Sequence, residues 1–238
     1  MQEITISPLD ASRFEEVLDP DSARSFAQAL DDAQEALSGR TLWHVNSTST
    51  GGGVAEMLHA VLGYLLGAGI ETRWGAIEGN EEFFVVTKRI HHLLHGDDPD
   101  PGPGTAPLGP AEHDIYGAAL ESEAEAFTAM VRPGDVVILH DPQTAGLAPY
   151  LRSAGAGVIW NCHVGSDVVN DATEVVWSFL RPFVEATHGQ VFSRHQYIWP
   201  GLDRSWVTVI PPCIDAFTPK NQFQEDLSSS VYAVAVQE

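Results

Sequence analysis

The sequence predicts an α/β fold, a Rossmann-like, doubly wound and mainly parallel sheet. Two observations carry that prediction. Short, continuously apolar runs such as Val136 to Leu139 and Gly157 to Asn161 alternate with longer segments whose apolar residues recur at helical spacing. That alternation is the mark of parallel strands covered on both faces. In addition, Leu42 to Glu56 reads as strand, tight turn and helix: the run through Val45 passes into Asn46-Ser47-Thr48-Ser49-Thr50 and then Gly51, Gly52 and Gly53. Glycines there let the backbone approach a ligand, and the following helix N-terminus aims free N–H groups at the same place. The same turn also occurs with no ligand at all.

Residues 1–40 read as an N-terminal helical arm, with Asp10 to Leu18 and Ser22 to Leu37 helical, Asp21 or Ser22 as cap and Gly39 as stop. Residues 41–215 form the Rossmann-like domain. Strands are expected at Thr41 to Asn46, Ile70 to Ile77, Val136 to Leu139, Gly157 to Asn161, Gln190 to Ser193 and Trp206 to Ile210. Helices are expected at Val54 to Gly67, Glu81 to Leu94, Glu112 to Val131, Thr144 to Ser153 and Asp171 to Thr187, the last kinked by Pro182. Gly96 to Pro110 is rich in Gly, Pro and Asp and reads as a long loop. Residues 216–238 read as a linker or tail.

The formal charge of −21 comes from 33 acidic and 12 basic residues, and only Lys88 and Lys220 are lysines. Nucleic acid and anionic membrane are poor partners for such a surface, because the field repels both. Val54 to Ile70 is the longest apolar stretch, and Glu56 and His59 interrupt it, so no membrane span is expected. The acidic N-terminus has no apolar signal core. Cys162 and Cys213 lack metal or disulfide spacing. Free, buried thiols in a reducing cytoplasm are the expectation.

Ligands of doubly wound sheets bind beyond the carboxyl ends of the strands. The polar residues there are Asn46 to Gly53, Glu78, then His140, Asp141 and Gln143, then His163, Ser166 and Asp167. Each alone is an ordinary loop residue. Several converging on one rim mark a candidate site, since structure by itself does not ask for polar groups at every strand end. His140, Asp141 and His163 match no closed zinc pattern, and His91, His92 and His95 suit a solvated helix end, so no metal is expected. The glycines lack the dinucleotide spacing, and no Gly-x-Ser-x-Gly elbow is present.

His44-Val45-Asn46-Ser47-Thr48 running into Gly51-Gly52-Gly53-Val54-Ala55-Glu56-Met57-Leu58 resembles the opening of the trehalose-forming glycosyltransferases, the synthases and retaining phosphorylases of GT-B fold. Arg73-Trp74, Ile77-Glu78-Gly79, Phe83 to Lys88, His91 to Gly96, His140-Asp141-Pro142-Gln143-Thr144, Trp160-Asn161-Cys162-His163 and Ile210 to Asp215 follow in the family's order, so the resemblance covers Gly39 to Asn221. It implies that this chain is one half of a GT-B fold. That half would bind the acceptor, glucose, while a C-terminal domain not present here would bind the donor, ADP- or UDP-glucose. By the same resemblance His163 contacts the donor sugar at the reaction centre, and Gly51, Gly52 and Gly53 lie near the donor phosphates. Asn46, Glu78, His140, Asp141 and Gln143 serve the sugars, with Lys88 positioning Glu78 or a hydroxyl. Asn161 stands where an arginine is more usual in the family. No cofactor is implied. The reaction implied is glucose transfer from nucleotide-glucose to glucose with retention, and the chain alone is expected to be inactive. Alternatives are a trehalose phosphorylase or a non-catalytic sugar-binding or regulatory module. A homodimer, or a donor domain supplied in trans, would complete the cleft.

Overall fold

A computed structural model describes residues 1–98, 107–218 and 221. The strands, in chain order, are β1 Gln2–Ile4, β2 Leu42–Asn46, β3 Thr72–Ala76, β4 Val136–His140, β5 Gly157–Cys162, β6 Gly189–Phe192 and β7 Val207–Val209. The helices are α1 Pro20–Ala36, α2 Gly53–Gly67, α3 Glu81–Leu94, α4 Pro110–Thr128, α5 Asp141–Thr144, α6 Ala148–Ser153 and α7 Asp171–Val184. The sheet order is β1-β3-β2-β4-β5-β6-β7, parallel throughout except for β1 on β3.

Side-chain alternation across the strands builds two layers. On one face Trp43, Val45, Val137, Leu139, Val158, Trp160 and Phe192 pack against Phe83 and Ile90 of α3, Tyr116 and Phe127 of α4, and Val176 and Leu180 of α7. On the other, Trp74 meets Ala55, Leu58 and Leu62 of α2 in a smaller cluster. Every residue of β2 is buried, including the polar His44 and Asn46.

Several expectations change in detail. The arm opens on a strand rather than a helix. Gln2 to Ile4 pairs antiparallel with Trp74 to Ala76, too short a run for alternation to reveal. Ala11 to Glu16 is a 3-10 turn, and α1 is capped by Asp19, whose carboxylate accepts from the amides of Asp21 and Ser22. The segment expected as one helix from Thr144 is broken into α5, a 3-10 turn at Ala145–Leu147 and α6. Helix α7 runs through Pro182 and ends at Val184, short of Thr187. Most of the long loop and of the tail, with Lys220, lies outside the described residues.

The arm is docked by close backbone contact. Leu9 N–H donates to Gly63 O at 2.8 Å, and a Cβ on Gly67 would sit 1.7 Å from Leu9 O. Gly117 in α4 has open space around it. Gly67→Ala is therefore expected to cost about 1–3 kcal/mol or more, and Gly117→Ala to gain about 0.5–1 kcal/mol. Urea unfolding of both variants checks this, and equal midpoints would show that the arm does not dock as described.

Candidate active site in the strand-end cleft

The chain leaves β2 for β3 on one side and returns to β4 on the other, so the sheet's switch point lies between β2 and β4. A cleft of about 600 Å³ opens there. Gly53, Glu56 and Met57 of α2, with Tyr64 further along, form one wall. Asp141 and His163 come from the ends of β4 and β5, and His91 and His95 from the end of α3. Asp215 closes the far side, where the Tyr64 hydroxyl donates to its carboxylate at 3.0 Å. Phe14 wedges its ring between those of Tyr64 and Phe217, so the N-terminal turn ties the segment after β7 to α2.

Asp141 is the strained residue of the site. Its φ of 62° places a non-glycine side chain in the left-handed region. Neighbours hold it there. Its carboxylate accepts the His163 backbone N–H at 2.8 Å, and its carbonyl accepts the Trp160 indole N–H at 2.9 Å. The next carbonyl, Pro142 O, accepts the buried Tyr116 hydroxyl at 2.6 Å. One edge of Asp141 reaches the cleft while burial of the carboxyl pushes its pKa up to about 7, against the opposing pull of the His163 amide.

Behind Asp141 three imidazoles run from the cleft into the sheet. His163 Nε2 lies 3.0 Å from His140 Nδ1, and His140 Nε2 lies 2.9 Å from His44 Nδ1. Burial lowers all three pKa values, His44 to about 3, His163 to about 4 and His140 well below the usual range. The rings are therefore neutral at neutral pH.

Of the residues singled out in the sequence, Gly53, Asp141 and His163 meet on the cleft. Gly51 and Gly52, at φ of 74° and 80°, form the exposed turn that delivers Gly53, and no side chain caps α2. Asn46 is buried rather than open to a sugar. It accepts the Trp74 indole N–H at 2.8 Å and donates to Thr48 O at 2.6 Å, which braces the glycine turn. His140 is also removed from any hydroxyl, because it is 1% exposed and both ring nitrogens face other histidines. Glu78 and Lys88 are exposed and do not line the cleft, and Glu78 pairs with the Met1 ammonium at 2.8 Å. Gln143 is turned inward, its Oε1 sealed and unpartnered among the described residues. Cys162 is buried as expected, whereas Cys213 is exposed on the rim, because the chain after β7 runs over the surface.

His91 and the exposed His95 reach the cleft from the end of α3, which a solvated helix end does not suggest by itself, and Tyr64 and Asp215 join them there. The signal for Tyr64 was a lone phenol on an apolar helix face. Among the described residues no three His, Cys, Asp or Glu side chains converge as a metal site requires. No described helix is long and apolar enough to cross a membrane.

The family model "Trehalose synthase, N-terminal domain" matches residues 44–199. The chain belongs to this family. The Pyrococcus horikoshii trehalose synthase is 36% identical over 192 residues, covering 81% of this chain and 43% of that protein. The Rubrobacter xylanophilus trehalose synthase is 34% identical, covering 81% and 44%. The Pleurotus sajor-caju trehalose phosphorylase is 30% identical, covering 56% and only 18%. The chain thus spans less than half the length of these relatives. Among solved structures, the Candida albicans trehalose-6-phosphate phosphatase N-terminal domain superposes with a TM-score of 0.52 at 14% identity, covering 84% of this chain and 54% of that one. The apo structure of OtsA does so with 0.50 at 12%, covering 66% and 41%. Such low identities speak to the fold alone, and that fold is the Rossmann-like α/β half of a GT-B fold.

The titrating groups of the site act in opposite senses. Asp141 binds its proton more tightly folded than unfolded, so its contribution to stability is lost as pH rises from about 4 to about 7. The three histidines bind protons more weakly when folded, so theirs is lost as pH falls below about 6.5. Asn adopts the left-handed region readily. Asp141→Asn should therefore gain stability relative to wild type progressively from about pH 4 to about pH 7 and level off above. Denaturant melts across that range check the slope, and a pH-independent difference would contradict the buried, proton-retaining carboxyl.

Proposed function

We propose that this chain is the acceptor-binding part of a trehalose-synthase-like retaining glycosyltransferase, which moves glucose from a nucleotide-glucose to glucose. One observation carries the reading: Asp141, His163, His91 and His95 face one cleft beside the uncapped N-terminus of α2. A carboxylate and imidazoles suit sugar hydroxyls, which both donate and accept. The free N–H groups of the first turn of α2 suit the departing diphosphate. In this reading Asp141 holds an acceptor hydroxyl, His163 contacts the donor sugar, and the turn Gly51 to Gly53 approaches the phosphates. Glu78, Lys88 and Gln143 are left out of the contact set.

A synthase fits better than a phosphorylase, because both identity and coverage are higher for the synthases. ADP- or UDP-glucose is the donor proposed, and the compartment proposed is the cytoplasm. Because the chain spans less than half the length of the synthases it matches, we propose that residues 1–238 give no turnover by themselves.

Calorimetric titration tests the acceptor site. Glucose or trehalose is expected to bind the chain, and at pH 8, where the Asp141 carboxyl is ionised, Asp141→Asn is expected to weaken that binding about tenfold, as a neutral acceptor replaces a charged one. Absence of binding by either sugar would overturn the reading. Incubation with ADP- or UDP-glucose and glucose is expected to yield no trehalose until a donor-binding domain is added. Sugar binding that still gives no product with that domain present would point to the non-catalytic module instead.

A further inference from the structure

The three-histidine chain has two ends, and they differ. At the inner end His44 Nε2 is sealed in the protein with no partner among the described residues. At the outer end His163 lines the cleft, and its Nδ1 bonds to no described residue. Between them the rings lie nearly parallel, 11° apart for His140 and His163 and 21° for His44 and His140.

A neutral imidazole has one N–H donor and one bare acceptor nitrogen. Each inter-ring contact needs one of each. Two protonation patterns satisfy both contacts at once. If His44 carries its proton on Nδ1, it donates to His140 Nε2. His140 then donates from Nδ1 to His163 Nε2, and His163 is left with Nδ1–H toward the cleft. The opposite pattern puts every proton on Nε2. It makes His163 an acceptor toward the cleft and strands the N–H of His44 in the core. A stranded buried donor is the rarer defect in folded proteins, whereas a half-used acceptor is better tolerated. The first pattern is the one the burial of His44 selects.

We propose that His140 and His44 are positioning residues that fix His163 as its Nδ1–H tautomer, so that the ring offers a hydrogen-bond donor to the sugar in the cleft. The sugar as recipient rests on the function proposed above, while the tautomer stands without it. The arrangement also explains why histidine occupies two fully covered strand positions. His44 and His140 touch no ligand, yet they decide which half of a hydrogen bond His163 supplies.

The tautomer is read directly. Long-range proton–nitrogen correlation spectra of the chain labelled with ¹⁵N-histidine distinguish protonated from bare ring nitrogens, with His163 assigned by the loss of its signals in His163→Phe. At neutral pH and without sugar, His163 is expected with Nδ1 protonated and Nε2 bare. A protonated Nε2, or two protonated nitrogens, would overturn the proposal. His44→Leu removes the inner donor and is expected to leave His163 as a mixture of tautomers, with trehalose, one ring of which takes the donor-sugar place beside His163, bound about fivefold more weakly. His44→Asn, whose amide can again donate to His140, is expected to restore both. An unchanged His163 tautomer in a folded His44→Leu chain would also overturn the proposal. Should that variant fail to fold, the wild-type spectrum alone decides. Should wild type bind no sugar, the functional reading falls while the tautomer result still stands.

Discussion

The cleft depends on one hydrogen-bonded turn. Where β4 ends, the backbone flips into the left-handed region at Asp141, and that carboxylate catches the first free amide after β5, His163 N–H, at 2.8 Å. The flip turns the Asp141 carbonyl to the Trp160 indole, and Tyr116 from α4 secures Pro142 O behind it. Two neighbouring strand ends are thereby locked together from the larger layer of the core. Without that lock, neither His163 nor the carboxyl would have a defined place on the rim. A strained non-glycine residue held by this many partners belongs where position matters more than local comfort.

The same turn sets the electrostatics. Removing Asp141 from water raises its pKa to about 7, and the same desolvation keeps the adjoining imidazoles neutral despite an acidic chain of net charge −21. At the ends of β4 and β5 the cleft therefore presents a neutral imidazole and a carboxyl poised near neutrality, while Glu56 and Asp215 stand on its other walls. Such a lining suits a polyhydroxylated ligand.

The remaining architecture serves to hold the two walls. Helix α2 is held by Trp74 of the sheet, against which its Ala55, Leu58 and Leu62 pack, and by the backbone of Leu9. It then grips Asp215 through Tyr64, so that a residue after the last strand completes a cleft begun at the first. Phe14 makes that closure possible by filling the gap between Tyr64 and Phe217. The arm is thus part of the frame of the site.

Periodicity and strand-end position made much of this legible from the residues alone. Continuous apolar runs at Leu42, Val136 and Gly157 predicted parallel buried strands, because a sheet covered on both faces demands them. The His-Asp-Pro-Gln-Thr and Asn-Cys-His segments predicted a polar rim, because strands end there. What no linear reading could decide was direction and partnership. Asn46 and His140 end buried strands, whereas Asp141, one residue beyond β4, reaches the cleft through a left-handed turn held by a tyrosine and a tryptophan distant in sequence. Glu78 and Lys88 have the right chemistry but point to the wrong side. His91 and His95 read as a solvated helix end, and His95 is exposed, but only the packing of α3 beside α5 and α7 brings that end to the cleft. A strand of three residues at Gln2 has no period to read, and only the open edge of β3 makes it a strand. Local sequence determined the elements and the stock of reactive groups. Tertiary packing decided which of those groups share one cleft, because a side chain's exposure and protonation are properties of what surrounds it.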